Sequence, residues 1–226
     1  MNDRTKQVNQ LDTAKTWNVS TALEKIKEMP SVKFDEAIDI SLHLGVDARK
    51  MMVRGTCSMP AGLGKKVKIA VFAKGDAAKA AEEAGADRVG SDDLVEEMQN
   101  QAWAGYNVII ATPDCMGMLA KLARKLGPKG LMPNPKLGTV TNEAAEAVKK
   151  AKLGQAKFKI DKAGIIHCSI GKKSFKVEDL QSNLAELIRS VKKLKPASAK
   201  GQYLKKLYIN STMGKYSLKV DTAEFA

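Results

Sequence analysis

A chain of 226 residues, 44% hydrophobic and 28% charged, is long enough for one large or two small domains with a real core. Its 38 Lys and Arg outnumber 25 Asp and Glu, a formal net charge of +13 that favours a polyanionic partner, nucleic acid or an anionic surface. It contains no run of about 18 apolar residues of the kind that spans a bilayer, and Met1–Lys6 has neither an apolar signal core nor a strongly basic character.

In chain order, Thr21-x-x-Glu24 has capping-box spacing and predicts a helix that ends before Pro30. Ile38, Ile40, Leu42 and Leu44 then alternate with Asp39, Ser41 and His43, which predicts a strand with one wet face. Val53–Met59 is a second strand candidate. The pattern changes after Gly62-Leu63-Gly64. Val67–Ala73 and Asn107–Ala111 are short apolar runs, and Arg88–Gly90 is a shorter one. Helical patterns at Asp76–Ala84, after the N-cap candidate Ser91, at Asp114–Leu126 and at Asn142–Lys152 alternate with them. Strands apolar throughout that alternate with helices predict a parallel sheet covered on both faces.

After Leu153-Gly154 the alternation stops. Lys157–Ile160 and Ile165–Ile170 flank the turn Asp161–Gly164 and predict a hairpin. Glu178–Lys195 predicts a helix with Leu180, Leu184, Leu187, Ile188 and Val191 on one face, stopped by Pro196. Tyr203–Asn210 predicts a last strand. Neither flank has enough strands for a stable sheet alone, and together they do. The expectation is therefore a discontinuous α+β domain, residues 1–65 plus 155–226, interrupted by an inserted α/β Rossmann-like domain with a parallel sheet, residues 66–154. Glycine hinges at the two crossings would let the domains move relative to each other.

Charge follows this division. Residues 1–65 hold 10 basic against 8 acidic side chains, 66–154 hold 13 against 11, and 155–226 hold 15 against 6. No acid interrupts Leu187–Val220, which carries nine basic residues, nor Cys115–Asn142, which carries Lys121, Arg124, Lys125, Lys129 and Lys136. Within the latter, Gly127–Val140 packs three prolines and three glycines around Lys129 and Lys136, the composition of a stiff, shaped loop that presents cations to phosphate.

Catalytic motifs are missing. The first loop of the α/β segment reads Ala73-Lys74-Gly75-Asp76, with no GxGxxG, and neither a P-loop nor GxSxG occurs. Cys57, Cys115 and Cys168 are far apart without CxxC, which argues against a disulfide framework or zinc site and reads as three small buried residues in a reducing compartment. His43 and His167 have no candidate nucleophile near them in sequence. Binding signals are better: Lys33-Phe34 and Arg54-Gly55-Thr56 open strands, and Ser211-Thr212-Met213-Gly214 follows one. There Thr212 offers a hydroxyl and Gly214 a close backbone approach.

These residues carry a resemblance over nearly the whole chain. Lys33–Glu36, Leu44–Asp47, Val53–Thr56, Ala111–Asp114, Leu126–Lys136, Asp161-Lys162, Ile166-His167, Gly171–Phe175 and Ser211–Gly214 closely resemble motifs of the family of the first-numbered protein of the large ribosomal subunit, bacterial or organellar type. The resemblance implies the discontinuous fold reached above and no enzymatic activity. It implies a cytoplasmic, ribosome-associated protein without cofactor, metal, membrane or small-molecule substrate. Its partners would be the large-subunit rRNA stalk, exit-site tRNA whose release it assists, and its own operon mRNA, which it represses. RNA contacts are implied at Phe34, Glu36, Arg54, Lys172, Ser174, Thr212, Met213 and Gly214, with Lys129 and Lys136 as a secondary RNA or tRNA contact. A non-ribosomal RNA-binding regulator of the same family and an α/β nucleotide-binding enzyme are the competing classes. The chain departs from the family in a shorter link before Val53, where only Met51-Met52 follow Lys50, and in lacking a dense basic run at its start.

Overall fold

Residues 15–29, 32–48, 51–100, 105–196, 199, 201–214 and 216–225 are described in the computed structural model, the side chains of 99, 100, 136 and 224 excepted. In chain order the elements begin with β1 (Thr16–Trp17), α1 (Val19–Glu28), β2 (Ala37–Leu44) and β3 (Arg54–Ser58). Next come β4 (Ile69–Phe72), α2 (Asp76–Glu83), β5 (Arg88–Gly90), α3 (Asp92–Asn100) and β6 (Val108–Ala111). They are followed by α4 (Met116–Leu119), α5 (Ala123–Leu126) and α6 (Ala144–Lys152), with short 3-10 turns between. The chain closes with β7 (Gln155–Lys159), β8 (Ile165–Lys172), α7 (Val177–Lys193), β9 (Leu204–Ser211) and β10 (Leu218–Val220). The elements are a mixture of helices with parallel and antiparallel sheets. They fall into two compact units: the described residues up to Gly64 with those from Gln155 on, and Lys65–Gly154.

The strict alternation of Ala37–Leu44 makes it the centre of the first unit. Its sheet runs β1-β10-β9-β2-β8, so β2 lies between β9 and β8, antiparallel to both. Ile38, Ile40, Leu42 and Leu44 are fully buried under α1 and α7, each of which turns an apolar stripe inward. Each such side chain contributes roughly 1.5–3 kcal/mol. β3 and β7 form a separate two-stranded ladder that joins the same core through Cys57, Ala156 and Phe158. The turn of the expected hairpin closes, with Asp161 N donating to the Ile165 carbonyl at 2.8 Å and Ile160 bridging Ile166, but beyond it the arms part: β7 pairs with β3 and β8 with β2. Gly55 leaves room on β3 for its neighbours, since a Cβ there would stand 2.6 Å from Leu194 Cδ1 and 2.9 Å from the Phe158 ring.

In the second unit three parallel strands run β5-β4-β6. Every residue of β4 and β6 is buried, as a sheet covered on both faces demands. Ala70, Phe72, Ile109 and Ala111 pack with Leu94, Met98, Leu119, Leu122 and Leu126, whereas Ile69, Val71, Val108 and Ile110 pack with Ala81, Ala144, Val148 and Ala151.

Several local expectations are corrected. α1 starts at Val19, two residues before the supposed cap, so Thr21 sits inside the helix and donates back to the Asn18 carbonyl at 3.0 Å; no capping box forms. Asp114–Leu126 is not one helix but alternating 3-10 and α turns, although Leu119, Leu122 and Leu126 still reach the core. Gly117, a poor helix former, lies in its first α turn. β9 is not last: β10 and the two-residue β1 extend the sheet, both too short for a periodicity signal.

Asn183 is the polar exception on the apolar face of α7, at 0% exposure. Its Oδ1 accepts from Ala61 N at 3.0 Å, and Nδ2 donates to the carbonyls of Gly62 at 2.9 Å and Ile170 at 2.7 Å. It therefore ties the end of the first segment to β8 and α7. Asn183→Leu should destabilise the protein by about 3 kcal/mol, because backbone groups lose their partner inside the core. Denaturant unfolding checks this, and a change under about 1 kcal/mol would show that water or another group replaces the amide.

Candidate nucleic-acid interface

At the first residue of β2 three segments meet. Ala37 is opposite Lys172, the last residue of β8, and Ile38 is opposite Ser211, the last of β9. The stretch before β2 and the turns after β8 and β9 are thereby brought to one end of the sheet. Each is pinned by hydrogen bonds. Thr212 N donates to the Ala37 carbonyl at 3.0 Å, and Thr212 Oγ1 accepts from Ala37 N at 3.2 Å and lies 3.1 Å from the same carbonyl. Lys173 N donates to the Glu36 carbonyl at 2.8 Å, and Lys172 Nζ to the Asp35 carbonyl at 3.0 Å. The Asp35 carboxylate accepts from Ser174 N at 3.2 Å and Ser174 Oγ at 2.8 Å.

A second layer lies beneath. Glu36 is 1% exposed, and its carboxylate stands 3.8 Å from Lys173 Nζ. That ammonium donates to the Met29 carbonyl, and Lys27 Nζ donates to the Phe175 carbonyl, both at 2.5 Å. The end of α1 is thus tied to the turn after β8. Gly64 comes close as well: a Cβ there would lie 2.9 Å from Lys172 Cγ and 3.1 Å from the Phe175 ring, and its φ of +65° suits glycine.

Phe34, Lys172, Ser174, Thr212, Met213 and Gly214 all belong to these converging segments. Phe34 at 53% and Met213 at 51% exposure are large apolar groups left in water beside them. Glu36 belongs to the layer below, where its carboxylate serves the protein's own Lys173 instead of facing outward. Arg54 is exposed on the other ladder, opposite Lys159. Lys129 is exposed in the second unit. The side chain of Lys136 lies outside the described residues. The loop around them is held by its own hydrogen bonds: Thr139 Oγ1 accepts from Asn134 N at 2.8 Å, and Thr139 and Val140 join β6 at Ala111.

Gly214 has a reason within the protein. A Cβ at that position would stand 2.8 Å from Ser211 Oγ and 3.1 Å from the Ser211 carbonyl, which accepts from Gly214 N at 2.9 Å. Sequence reasoning missed Asp35 and Lys173, whose partners are far away in the chain; only their place beside the motif residues signals them. The buried thiol Cys57 is pushed up in pKa by burial, with Glu186 adding to it and the Ser190 hydroxyl opposing, so it stays protonated at neutral pH. Among the described residues no cluster of His, Cys, Asp and Glu could hold a metal ion.

The model of the ribosomal protein L1p/L10e family matches residues 23–215. The chain is 50% identical over 184 residues to a large ribosomal subunit protein uL1 of Alkalilimnicola ehrlichii, covering 80% of this chain and 79% of that one. It is 51% identical over the same length to uL1 proteins of Bordetella pertussis and Bordetella parapertussis, with the same coverage.

The geometry separates stability from contact in the turn after β9. Gly214→Val should destabilise the protein by about 1–3 kcal/mol through its collision with Ser211, lowering the melting temperature without any ligand. Met213→Ala, at an exposed position, should change stability by less than about 0.5 kcal/mol. Calorimetry of the two variants tests this, and equal melting temperatures would refute the internal role of Gly214.

Proposed function

The chain belongs to the ribosomal protein L1p/L10e family, and on that premise we propose that it is a constituent of the large ribosomal subunit that grips an rRNA stalk with the end of its five-stranded sheet. The family is structural and non-enzymatic. The observation that carries the reading is the convergence of Phe34, Lys172, Ser174, Thr212 and Met213 on the start of β2, with two apolar side chains exposed on hydrogen-bonded supports. Such an assembly reads RNA shape. Phe34 offers a ring for a base to stack on, and Met213 a flexible surface for a base or ribose. Lys172, and Arg54 on the neighbouring ladder, supply cations for phosphates. The Thr212 hydroxyl is engaged with Ala37, so its first role is to hold Met213 in place, and a 2′-hydroxyl would meet its remaining lone pair.

In this reading the first unit is an RNA-binding domain and Lys65–Gly154 an inserted one. The same sheet end takes a leader in the mRNA of its own operon, which makes stalk and message compete and gives repression when free protein accumulates. The stiff basic loop with Lys129 and Lys136 touches exit-site tRNA and assists its release.

The test is co-sedimentation with large subunits together with salt titration of binding to a stalk rRNA fragment. Met213→Ala should weaken the complex by about tenfold and leave the slope of log K against log salt unchanged, since no cation is lost. Lys172→Ala should make that slope shallower by about one counterion. A protein that stays out of the large subunit at low salt would favour a non-ribosomal regulator, and a flattened slope for Met213→Ala would contradict the shape reading. Competition is a separate check: the operon leader should displace the stalk fragment, and simultaneous binding of both would refute a shared surface.

A further inference from the structure

The five-stranded sheet has an outer face that this function leaves unused. Both helices of the first unit pack on the inner face among the described residues. The outward positions are Thr16 on β1, Ala37, Asp39, Ser41 and His43 on β2, Ile165, His167 and Ser169 on β8, Lys206, Tyr208 and Asn210 on β9, and Lys219 on β10. Cross-strand pairing sets His167, Ser41, Tyr208 and Lys219 in one row, and Ser41 Oγ lies 3.1 Å from His167 Nδ1. In the next row His43 is opposite Lys206, which makes His43 the cross-strand diagonal neighbour of Tyr208, at about 7–8 Å. Both histidines of the chain stand here.

We propose that this outer face is a stacking platform for single-stranded RNA, continuous with the sheet end that holds the stalk. The proposal deepens the function above and rests on it. Three rings, two lysines, two serines and an amide fit bases and phosphates; open sheets with exposed rings take two or three bases in this way. A protein partner would need an apolar centre, and the only aliphatic side chain in these rows is Ile165. The face also runs into the proposed stalk site without a break. Asp39, its single acid, lies 3.5 Å from Thr212 Oγ1, next to Met213. An unpaired strand leaving the stalk would therefore cross Asn210 and Tyr208 towards Lys206 and His43.

The experiment measures binding of the full chain to two probes at low salt: an oligouridylate of about ten nucleotides, within the length single-strand binders cover, and the stalk rRNA fragment. Tyr208→Ala should weaken oligouridylate binding about tenfold, Tyr208→Phe less than about twofold, and neither should change the salt slope. His167→Ala, at an exposed position, should weaken the same probe and guards against a folding defect in Tyr208→Ala, which melting curves also check. Met213→Ala should weaken the stalk fragment and spare the oligouridylate. Wild-type affinity of both ring variants for oligouridylate, or no wild-type binding to it because another chain segment or a second copy covers the face, would overturn the platform while stalk binding stands. Oligouridylate binding that needs Tyr208, without any stalk binding, would support the platform and sink the ribosomal reading instead.

Discussion

The backbone of Ala37 is the joint on which the first unit depends. Its N–H and carbonyl are both taken by Thr212, which lies 175 residues further along the chain. Closing so long a loop for one pair of hydrogen bonds would be unfavourable. It succeeds because β2 already lies between β8 and β9, with its alternate residues sealed in the core. The hydrophobic pattern of Ile38–Leu44 thus fixes the register, and the register sets which loops share the sheet end. A slip of one residue would turn Ile38 and Ile40 outward and separate Thr212 from Ala37.

Buried charge reinforces the joint. Glu36 and Lys173 are 1% and 11% exposed, and removing either member of such a pair commonly costs about 3–5 kcal/mol. A pair of this kind is weak support for stability compared with apolar packing, but it admits few geometries. It ties α1, the strand approach and the turn after β8 into one arrangement, which in the proposed RNA complex would leave less ordering for the binding step.

Much of this was legible in the residues. The alternation at Ala37–Leu44, the stripe of Leu180, Leu184, Leu187, Ile188 and Val191, and the apolar strands of the parallel sheet all appear where their periods place them. What escaped depends on residues distant in sequence. Nothing near Asp35 reveals that Ser174, 139 residues on, closes on it, and nothing near Lys173 reveals Glu36 beside it. Asn183 did leave a mark, an amide on an apolar stripe, yet the loop it holds at Ala61 and Gly62 is 121 residues away or more. The site motifs were visible as motifs. That Glu36 faces inward while Phe34 and Met213 face water followed only once the chain was folded.

The most direct test of the sheet end as the RNA surface is site-specific photo-crosslinking in purified large subunits. A photoreactive phenylalanine analogue is placed at Phe34 and, in a separate chain, at Lys162, which is exposed in the turn at the far end of β8. Crosslinks to large-subunit rRNA from position 34 and none from position 162 are the predicted result. Crosslinks from position 162 with none from position 34 would contradict the account.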